Sequence, residues 1–320
     1  MKKDIVSITD LTKIEIEKIF DLTAQIKVGA IHELPLQCKT LAMIFEKPSL
    51  RTRLTFATGM NQWGGSAIYL SPSDIQLGKR ERVKDVARTL SRWCDGIMAR
   101  TFAHETVVEL SRHATIPVIN GLSDREHPCQ ALGDLFTLKE KISQITNPCP
   151  EPEIASAEPR NEPTPILPSP SPRPGRRGDQ SSITNLTLAY VGDGNNVCHS
   201  LLLLCGILGI QMRVGCPEGY EPDSDILEKA RQSNPNTQHP IPSIQVFHDP
   251  FEAVEGSDVV YTDVWTSMGQ EEEAAERRET FQRFQVNPQL LSKAKQGAWV
   301  MHCLPAHVGE EITEEVLDGP

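Results

Sequence analysis

The sequence predicts an α/β fold of two domains, each a mainly parallel sheet flanked by helices. Three observations lead to this prediction. Short β-prone apolar runs alternate with helical patterns in both halves of the chain, which is typical of parallel sheets covered by helices. A proline-rich stretch separates the two halves. At 320 residues, the chain is also long enough for two domains and a substantial core.

The first half carries four predicted strands, at residues 40–45, 66–70, 95–99 and 116–119. Helical patterns lie between them at 51–63, 81–93 and 104–113. A further helix is predicted from Pro128 to about Ile142, because proline is well placed in a first helical turn. Residues 1–145 are therefore predicted to form the first domain.

The composition changes sharply across residues 146–182. Ten of the 24 prolines fall between Pro148 and Pro174, and residues 147–182 contain no aromatic residue. Such a stretch cannot bury enough apolar surface to offset the entropy lost on ordering. We interpret it as a flexible, partly polyproline II linker or surface insertion; a ligand for a proline-binding partner is the alternative.

Deletion of residues 150–180 is predicted to leave the fold and the site intact. Changing the length of a flexible loop costs little entropy, about 0.6 kcal/mol for each doubling. Thermal unfolding and gel filtration of the deletion variant check this. A large drop in melting temperature, or a change in oligomeric state relative to the full chain, would show that the insertion is structural.

The second half resumes the alternation. Strands are predicted at 186–191, 211–215, 244–247, 258–262 and 297–302, with helices at 196–208 and 223–232. Residues 183–320 are therefore predicted to form the second domain.

Charge and cysteine usage exclude several classes of protein. A net charge of −11 argues against broad nucleic-acid binding, which needs a basic face. The first residues lack the apolar segment of a secretory signal, and the apolar run at 200–210 is too short to span a bilayer. The eight cysteines include no CxxC pair, which favours free thiols in a reducing cytoplasm. We therefore expect a cytoplasmic protein with no nucleic-acid or membrane partner.

Fixed positive charge collects where the first strand gives way to a helix, in the segment FEKPSLRTRLTF at 45–56. Ser49 fits a helix N-cap, so that Leu50 to Arg53 form the first turn. The free backbone N–H groups and the positive dipole end of such a turn bind anions. Arg51 adds a planar guanidinium suited to phosphate oxygens. The alternative is a solvated basic helix start.

Other polar side chains follow strands or begin helices in the first half. Arg100 ends a predicted strand, at the edge where open α/β sheets bind ligands. His127 and Gln130 lie at the start of the helix predicted from Pro128, and both can hydrogen-bond a carbonyl oxygen or an oxyanion. A structural role for His127 is the alternative.

The second half has three comparable positions. The segment GDGNN at 192–196 lacks the third glycine of a dinucleotide loop, so a nicotinamide cofactor is not favoured, and Asn196 could instead hydrogen-bond a carboxylate. Asp263 follows a strand and offers a carboxylate to an ammonium group. Cys303 lies between His302 and His307, which suggests zinc, but no further ligand stands at a recognised spacing. Packing of a small thiol is the alternative.

Four motifs then occur in order along the chain: Ser49-Leu50-Arg51-Thr52-Arg53, His127-Pro128-Cys129-Gln130, Asp263-Val264-Trp265-Thr266-Ser267-Met268-Gly269 and His302-Cys303-Leu304-Pro305. Together they resemble the aspartate/ornithine carbamoyltransferase family over nearly the whole chain outside the insertion. The last two motifs favour ornithine as the acceptor. The resemblance implies transfer of the carbamoyl group of carbamoyl phosphate to the δ-amine of L-ornithine, giving citrulline and phosphate, with no metal or organic cofactor.

The resemblance also implies a metabolic role and an oligomeric state, and two other functions stay open. It places the reaction in arginine metabolism, with arginine biosynthesis and the urea cycle as its settings, and leaves open whether flux runs toward arginine synthesis or toward breakdown of citrulline. It also implies a homotrimer with shared active sites. The alternatives are a non-catalytic ligand-binding relative, and a carbamoyltransferase for aspartate or an N-acylated ornithine.

Roles for individual residues follow from the resemblance. Those implied to bind carbamoyl phosphate are Ser49, Leu50 through its backbone, Arg51, Thr52, Gln76, Arg100, His127, Gln130, Cys303 and Leu304. Those implied to bind ornithine are Asn196, Asp263, Ser267 and Met268. Those implied to be catalytic are Arg100, His127, Gln130, Asp263 and Cys303. Gln76 would reach the site of a neighbouring subunit.

Three departures from the family pattern modify these expectations. Leu50 stands where the family often has threonine, which matters little if the contact is through the backbone. Val308 stands where arginine is common, so a local ion pair is not expected. Family members usually continue beyond the position of Pro320 with an arginine-bearing segment and a helix that packs on the first domain. For residues 1–320 alone we expect retained carbamoyl phosphate binding, impaired domain closure and weak turnover.

Overall fold

The computed structural model describes residues 2–31, 33–78, 80–146, 183–233, 244–266 and 271–319. The predictions for the insertion across 147–182, and for Ser267 and Met268, lie outside the described residues. The remaining residues form two parallel sheets with helices against them, which confirms the predicted fold class.

The first sheet has four parallel strands in the order β2-β1-β3-β4. Its strands are Thr40–Phe45 (β1), Ser66–Leu70 (β2), Gly96–Arg100 (β3) and Val118–Leu122 (β4). The helices of this half are Lys13–Lys27 (α1), Leu50–Gln62 (α2), Pro72–Ile75 (α3), Val83–Trp93 (α4), His104–His113 (α5) and Pro128–Thr146 (α6).

The second sheet has five parallel strands in the order β7-β6-β5-β8-β9. Its strands are Thr187–Val191 (β5), Gln211–Gly215 (β6), Gln245–Phe247 (β7), Val259–Thr262 (β8) and Trp299–His302 (β9). The helices are Asn196–Leu208 (α7), Ser224–Gln232 (α8), Pro250–Val254 (α9), Ala274–Phe281 (α10), Pro288–Leu291 (α11) and Glu314–Leu317 (α12).

Several elements differ from the sequence prediction, which did not include helices α3 and α9 to α12. The strand predicted at 116–119 is displaced toward the C-terminus, since β4 spans Val118–Leu122. Helix α1 was not predicted, although the sequence carries its start signal: Thr12 and Glu15 form a capping box. Ile16 and Phe20 of α1 are buried in the main core, so the helix packs through one apolar face.

One of the apolar clusters spans both halves of the chain. Every residue of α7 from Val197 to Leu208 is buried, and α7 packs against α6 of the first half. Helices buried on all sides read as continuous apolar runs, which explains the LLLLCGIL segment. The α6–α7 contact joins the two sheets, and residues from the carboxyl ends of β1, β3, β8 and β9 line one cleft. Among the helices described, none is long and apolar enough to cross a membrane.

Candidate active site

A cleft between the two sheets, with a volume of about 390 Å³, contains most of the residues singled out in the sequence. Parallel sheets bind ligands at the carboxyl ends of their strands, and this cleft occupies that position. The predicted residues that line it are Ser49, Leu50, Arg51, Thr52, Arg100, His127, Gln130, Asn196, Asp263, Cys303 and Leu304.

The start of α2 has the geometry predicted for an anion site. Ser49 is the N-cap in an extended conformation, and its Oγ accepts a hydrogen bond from the backbone N–H of Thr52 at 3.4 Å. The Arg100 guanidinium reaches the same turn, since its Nη1 donates to Oγ1 of Thr52 at 3.4 Å. Arg51 lines the cleft, whereas the Arg53 guanidinium lies 3.8 Å from the ring centroid of Tyr69. The two arginines of the motif therefore have different surroundings.

Arg100 and His127 line the cleft, and each has a buried nitrogen without a hydrogen-bond partner in the described part of the chain. Arg100 is only 9% exposed, and within the described part of the chain its Nε and the Nδ1 of His127 have no hydrogen-bond partner. Burial, together with the nearby Arg100 charge, lowers the pKa of His127 to about 3. At physiological pH the imidazole is therefore neutral, and it can donate or accept a hydrogen bond without adding charge.

Gln130 is held by a buried carboxylate. Its Nε2 donates to Oδ1 of Asp134 at 2.9 Å, one helical turn further along α6. The other carboxylate oxygen, Oδ2, accepts a hydrogen bond from the Tyr261 hydroxyl at 2.8 Å. Because Tyr261 belongs to β8, this chain of hydrogen bonds runs from the cleft wall of one half to the sheet of the other.

On the opposite wall, Asp263 follows β8 and is the centre of a small network. Its Oδ1 accepts hydrogen bonds from the Cys303 thiol at 2.9 Å and from the backbone N–H of Val264 at 2.8 Å. Its Oδ2 accepts one from Asn195 Nδ2 at 2.8 Å. Asp263 is 5% exposed, so a buried carboxylate with fixed orientation faces the cleft, as a site for an ammonium group requires.

Cys303 is a thiol in this arrangement. Burial, followed by the charge of Asp263, raises its pKa well above the usual range. The surroundings favour the thiol over the thiolate because a second negative charge beside Asp263 is unfavourable.

Cys303 is accordingly expected to react slowly with alkylating agents. At pH 8 iodoacetamide should modify the exposed Cys38 at least tenfold faster than Cys303, because the thiolate is the reactive form. Peptide mass spectrometry of a time course measures both rates in one sample. Equal rates at the two cysteines would contradict the assignment of a neutral, buried thiol.

His302 and Cys303 also lie near other possible metal donors. Donor atoms of Asp263, His302 and Cys303 lie within 4.8 Å of one another, a proximity that sequence spacing did not reveal. Both ring nitrogens of His302 are engaged, since Nδ1 accepts from the backbone N–H of Leu304 at 2.8 Å and Nε2 contacts Glu311 Oε1 at 3.0 Å. Because Nδ1 accepts, Nε2 carries the proton that is donated to the buried Glu311. The arrangement fits a hydrogen-bonded support for the loop after β9.

Some predicted residues lie elsewhere or have an additional contact. Gln76 ends α3 in a left-handed conformation, with φ of 41°, and does not line this cleft. Asn196 lines the cleft, but its Nδ2 already donates to the backbone oxygen of Ser123 at 2.6 Å. Ser267 and Met268 lie outside the described residues.

The structure also shows residues that the sequence reasoning missed. Lys47, Thr266 and His307 line the cleft, and Asp134 and Asn195 hold site residues in place. Lys47 had a signal, since it is two residues before the N-cap. Asp134 also had one, since it stands four residues after Gln130 and shares its helix face.

Two α/β halves place a helix N-terminus with two arginines on one wall of the cleft and a buried carboxylate on the other, groups suited to an anion and to an amine. The chain belongs to the aspartate/ornithine carbamoyltransferase family. The model of that family's carbamoyl-P binding domain matches residues 3–140, and the model of its Asp/Orn binding domain matches residues 184–320.

Individual relatives agree with this assignment. An ornithine carbamoyltransferase of Methanothermobacter thermautotrophicus is 47% identical over 99% of this chain and 91% of its own length. The chloroplastic ornithine carbamoyltransferase of Pisum sativum is 44% identical, with 99% of this chain and 74% of that protein covered. Among solved structures, ornithine carbamoyltransferase from Pyrococcus furiosus has a TM-score of 0.82 at 43% identity, covering 99% of this chain and 90% of that one.

Proposed function

We propose that the protein transfers the carbamoyl group of carbamoyl phosphate to the δ-amine of L-ornithine, giving L-citrulline and phosphate. One observation carries the proposal: a single cleft joins the α2 N-terminus and Arg51 on one wall to Asp263 and Cys303 on the other. Family membership supports it, as do the names of the relatives.

Carbamoyl phosphate binds to the first-domain wall in this proposal. Its phosphate group sits at the first turn of α2, where free N–H groups and the helix dipole favour a dianion. Arg51 and Arg100 add charge-assisted hydrogen bonds, and the hydroxyls of Ser49 and Thr52 add neutral ones. The Leu50 side chain is exposed, so in this proposal Leu50 contacts the phosphate through its backbone N–H. Leucine in place of the family's threonine therefore lowers the affinity for carbamoyl phosphate little.

The carbamoyl group then lies against Arg100, His127 and Gln130. Arg100 and the neutral His127 both line this wall, and they stabilise the negative charge that develops on the carbamoyl oxygen. The δ-nitrogen forms a bond to the carbamoyl carbon, the carbon–oxygen bond to phosphate breaks, and the surplus amine proton leaves with the phosphate. Holding both substrates in one orientation supplies much of the remaining rate.

Ornithine binds to the second-domain wall. Asp263 pairs with its α-ammonium group, and Asn196, Ser267 and Met268 complete the contacts of the amino-acid end. Cys303, a thiol that donates to Asp263, lies beside the δ-amine. This arrangement requires the δ-amine to be neutral, so turnover rises with pH as that amine loses its proton.

An acceptor series tests the proposed function. Citrulline formation is measured with ornithine, and formation of the corresponding carbamoylated product is measured with aspartate and with N-acetylornithine in its place. We expect turnover with ornithine and at least a hundredfold lower kcat/KM with the other two. Equal or greater turnover with aspartate or N-acetylornithine would identify that compound as the acceptor in place of ornithine. The absence of transfer to any of the three would favour a non-catalytic binding protein.

The proposed assembly is a homotrimer with shared active sites. Helix α2 has no buried residue in the isolated chain, and Leu54 of α2 and Ile68 of the edge strand β2 are 55% and 49% exposed. Gln76 lies outside its own chain's cleft, as a residue that serves a neighbouring site must.

We also propose a cytoplasmic location and a role in arginine biosynthesis. The free thiols of the seven described cysteines support the cytoplasmic location. The role in arginine biosynthesis is supported by an anabolic ornithine carbamoyltransferase from Pyrococcus furiosus that is 43% identical.

Mixed oligomers test the shared site. Arg51→Ala and Gln76→Ala subunits, each expected to be nearly inactive alone, should recover activity when co-expressed, because some sites combine an intact cleft with an intact Gln76. Co-expressed Arg51→Ala and Arg100→Ala subunits are the matched control and should recover nothing, since both residues belong to one wall of one chain. Citrulline formation by the purified mixtures measures the recovery. Its absence from the first mixture would show that Gln76 does not act across subunits.

A further inference from the structure

Asp134 lies outside the set of residues that line the cleft, yet it contacts one that does. It is 7% exposed on α6, and its two carboxylate oxygens have separate partners. Oδ1 accepts from Gln130 Nε2 at 2.9 Å, and Oδ2 accepts from the Tyr261 hydroxyl at 2.8 Å. A buried carboxylate with both oxygens engaged has little freedom to rotate, so it can fix the groups that donate to it.

The chemistry of the pair determines which way the Gln130 amide faces. Burial raises the pKa of Asp134 to about 6, so above pH 7 the group is mainly an ionised carboxylate. An ionised carboxylate only accepts hydrogen bonds. Gln130 must therefore turn its NH₂ group toward Asp134, and the amide oxygen Oε1 is the atom left for a ligand in the cleft.

We propose that Asp134 is a positioning residue that orients Gln130 so that its amide oxygen accepts a hydrogen bond from the NH₂ group of the carbamoyl moiety. The inference rests on the proposed function. It identifies a source of substrate selection: an acyl phosphate with a methyl group in place of the NH₂ group matches the phosphate and carbonyl contacts but cannot donate to Gln130. Asp134 thus selects carbamoyl phosphate over acetyl phosphate without touching either.

Tyr261 gives the carboxylate its second anchor. It is fully buried in β8, and its ring stacks on that of Tyr190 with centroids 5.8 Å apart. The hydroxyl therefore has a fixed position relative to the second sheet. Loss of this hydroxyl leaves the Gln130–Asp134 hydrogen bond in place, so Tyr261 contributes to the support of Asp134 and less to the orientation of the amide.

The test compares the affinities for carbamoyl phosphate and acetyl phosphate, measured by calorimetric titration without ornithine. The wild-type protein should prefer carbamoyl phosphate by roughly tenfold or more, the scale of one hydrogen bond. Asp134→Ala should remove most of that preference by weakening carbamoyl phosphate alone, with acetyl phosphate affinity unchanged. Asp134→Asn is the matched control: its amide oxygen can accept from Gln130 and its NH₂ group can donate to the Tyr261 oxygen, so the preference should be kept.

A second pair of variants covers failure of Asp134→Ala to fold. In Asp134→Leu/Tyr261→Phe both partners of a buried hydrogen bond become apolar, a change that can be nearly neutral for stability. This double variant should lose the preference, and Tyr261→Phe alone should keep it. If folded Asp134→Ala, or folded Asp134→Leu/Tyr261→Phe, still prefers carbamoyl phosphate as strongly as the wild type, the inference is overturned. Wild-type protein that binds neither phosphate would instead overturn the proposed function.

Discussion

Replacing Arg51 with alanine is expected to lower the affinity for carbamoyl phosphate on the order of a hundredfold. The guanidinium lines the cleft beside the first turn of α2, where it supplies charge-assisted hydrogen bonds to the phosphate. Losing such bonds costs about 2–3 kcal/mol, which corresponds to that change in affinity. Calorimetric titration of the variant with carbamoyl phosphate measures the effect.

Arg53→Ala is the matched control for Arg51→Ala. The variant removes the same charge from the same helix, but the Arg53 guanidinium of the wild type lies over the Tyr69 ring and not in the cleft. Its affinity should stay within about threefold of the wild type, since long-range contributions of exposed charges are small and screened by salt. Equal losses in both variants would mean that net charge, and not a directed contact, holds the phosphate.

Asp263→Asn is expected to have the second large effect, a fall in kcat/KM for ornithine of two to three orders of magnitude. The buried carboxylate is the acceptor for Cys303 and Asn195 and, in the proposed site, the counter-charge of the ornithine ammonium group. Removing one partner of a buried charge pair costs about 2–5 kcal/mol. Carbamoyl phosphate affinity should change little, because its contacts lie on the other wall.

Asp258→Asn provides a control on the same strand. Asp258 precedes β8 and Asp263 follows it, so the two carboxylates stand at opposite ends. Asp258 accepts from the backbone N–H of Thr187 and pairs with Lys295 at 2.7 Å, away from the cleft. The kcat/KM of Asp258→Asn for ornithine should match that of the wild type. If Asp263→Asn has the same kinetics as Asp258→Asn, the ornithine ammonium group binds elsewhere.

Local sequence signals were enough to predict most of this fold. The α2 N-cap at Ser49 and the bounds of α7 and β6 were correct because each depends on neighbouring residues: a capping hydroxyl, a continuous apolar run, a short β-prone segment. The capping box of α1 was equally visible but was overlooked. Strand β4 was placed too early, because the apolar residues before Val118 resemble a strand but precede the pairing with β3.

The supporting parts of the site could not be predicted in the same way. The Asp134–Tyr261 hydrogen bond joins residues 127 positions apart, and the Cys303–Asp263 contact depends on β8 and β9 being neighbours in the sheet. Neither contact has a signal in the sequence around the residues that make it. The place of Gln76 outside the cleft depends on the path of the chain after β2, and its proposed partner belongs to another subunit.

We propose that carbamoyl transfer takes place in the cleft between the two sheets. Its most direct test is the stoichiometry of the reaction with carbamoyl phosphate and ornithine, measuring citrulline and phosphate in the same sample and subtracting the spontaneous breakdown of carbamoyl phosphate. We expect one citrulline for each phosphate released by the protein, with both products lost together in Asp263→Asn. Phosphate release without citrulline, or citrulline formation that Asp263→Asn leaves unchanged, would contradict transfer in this cleft.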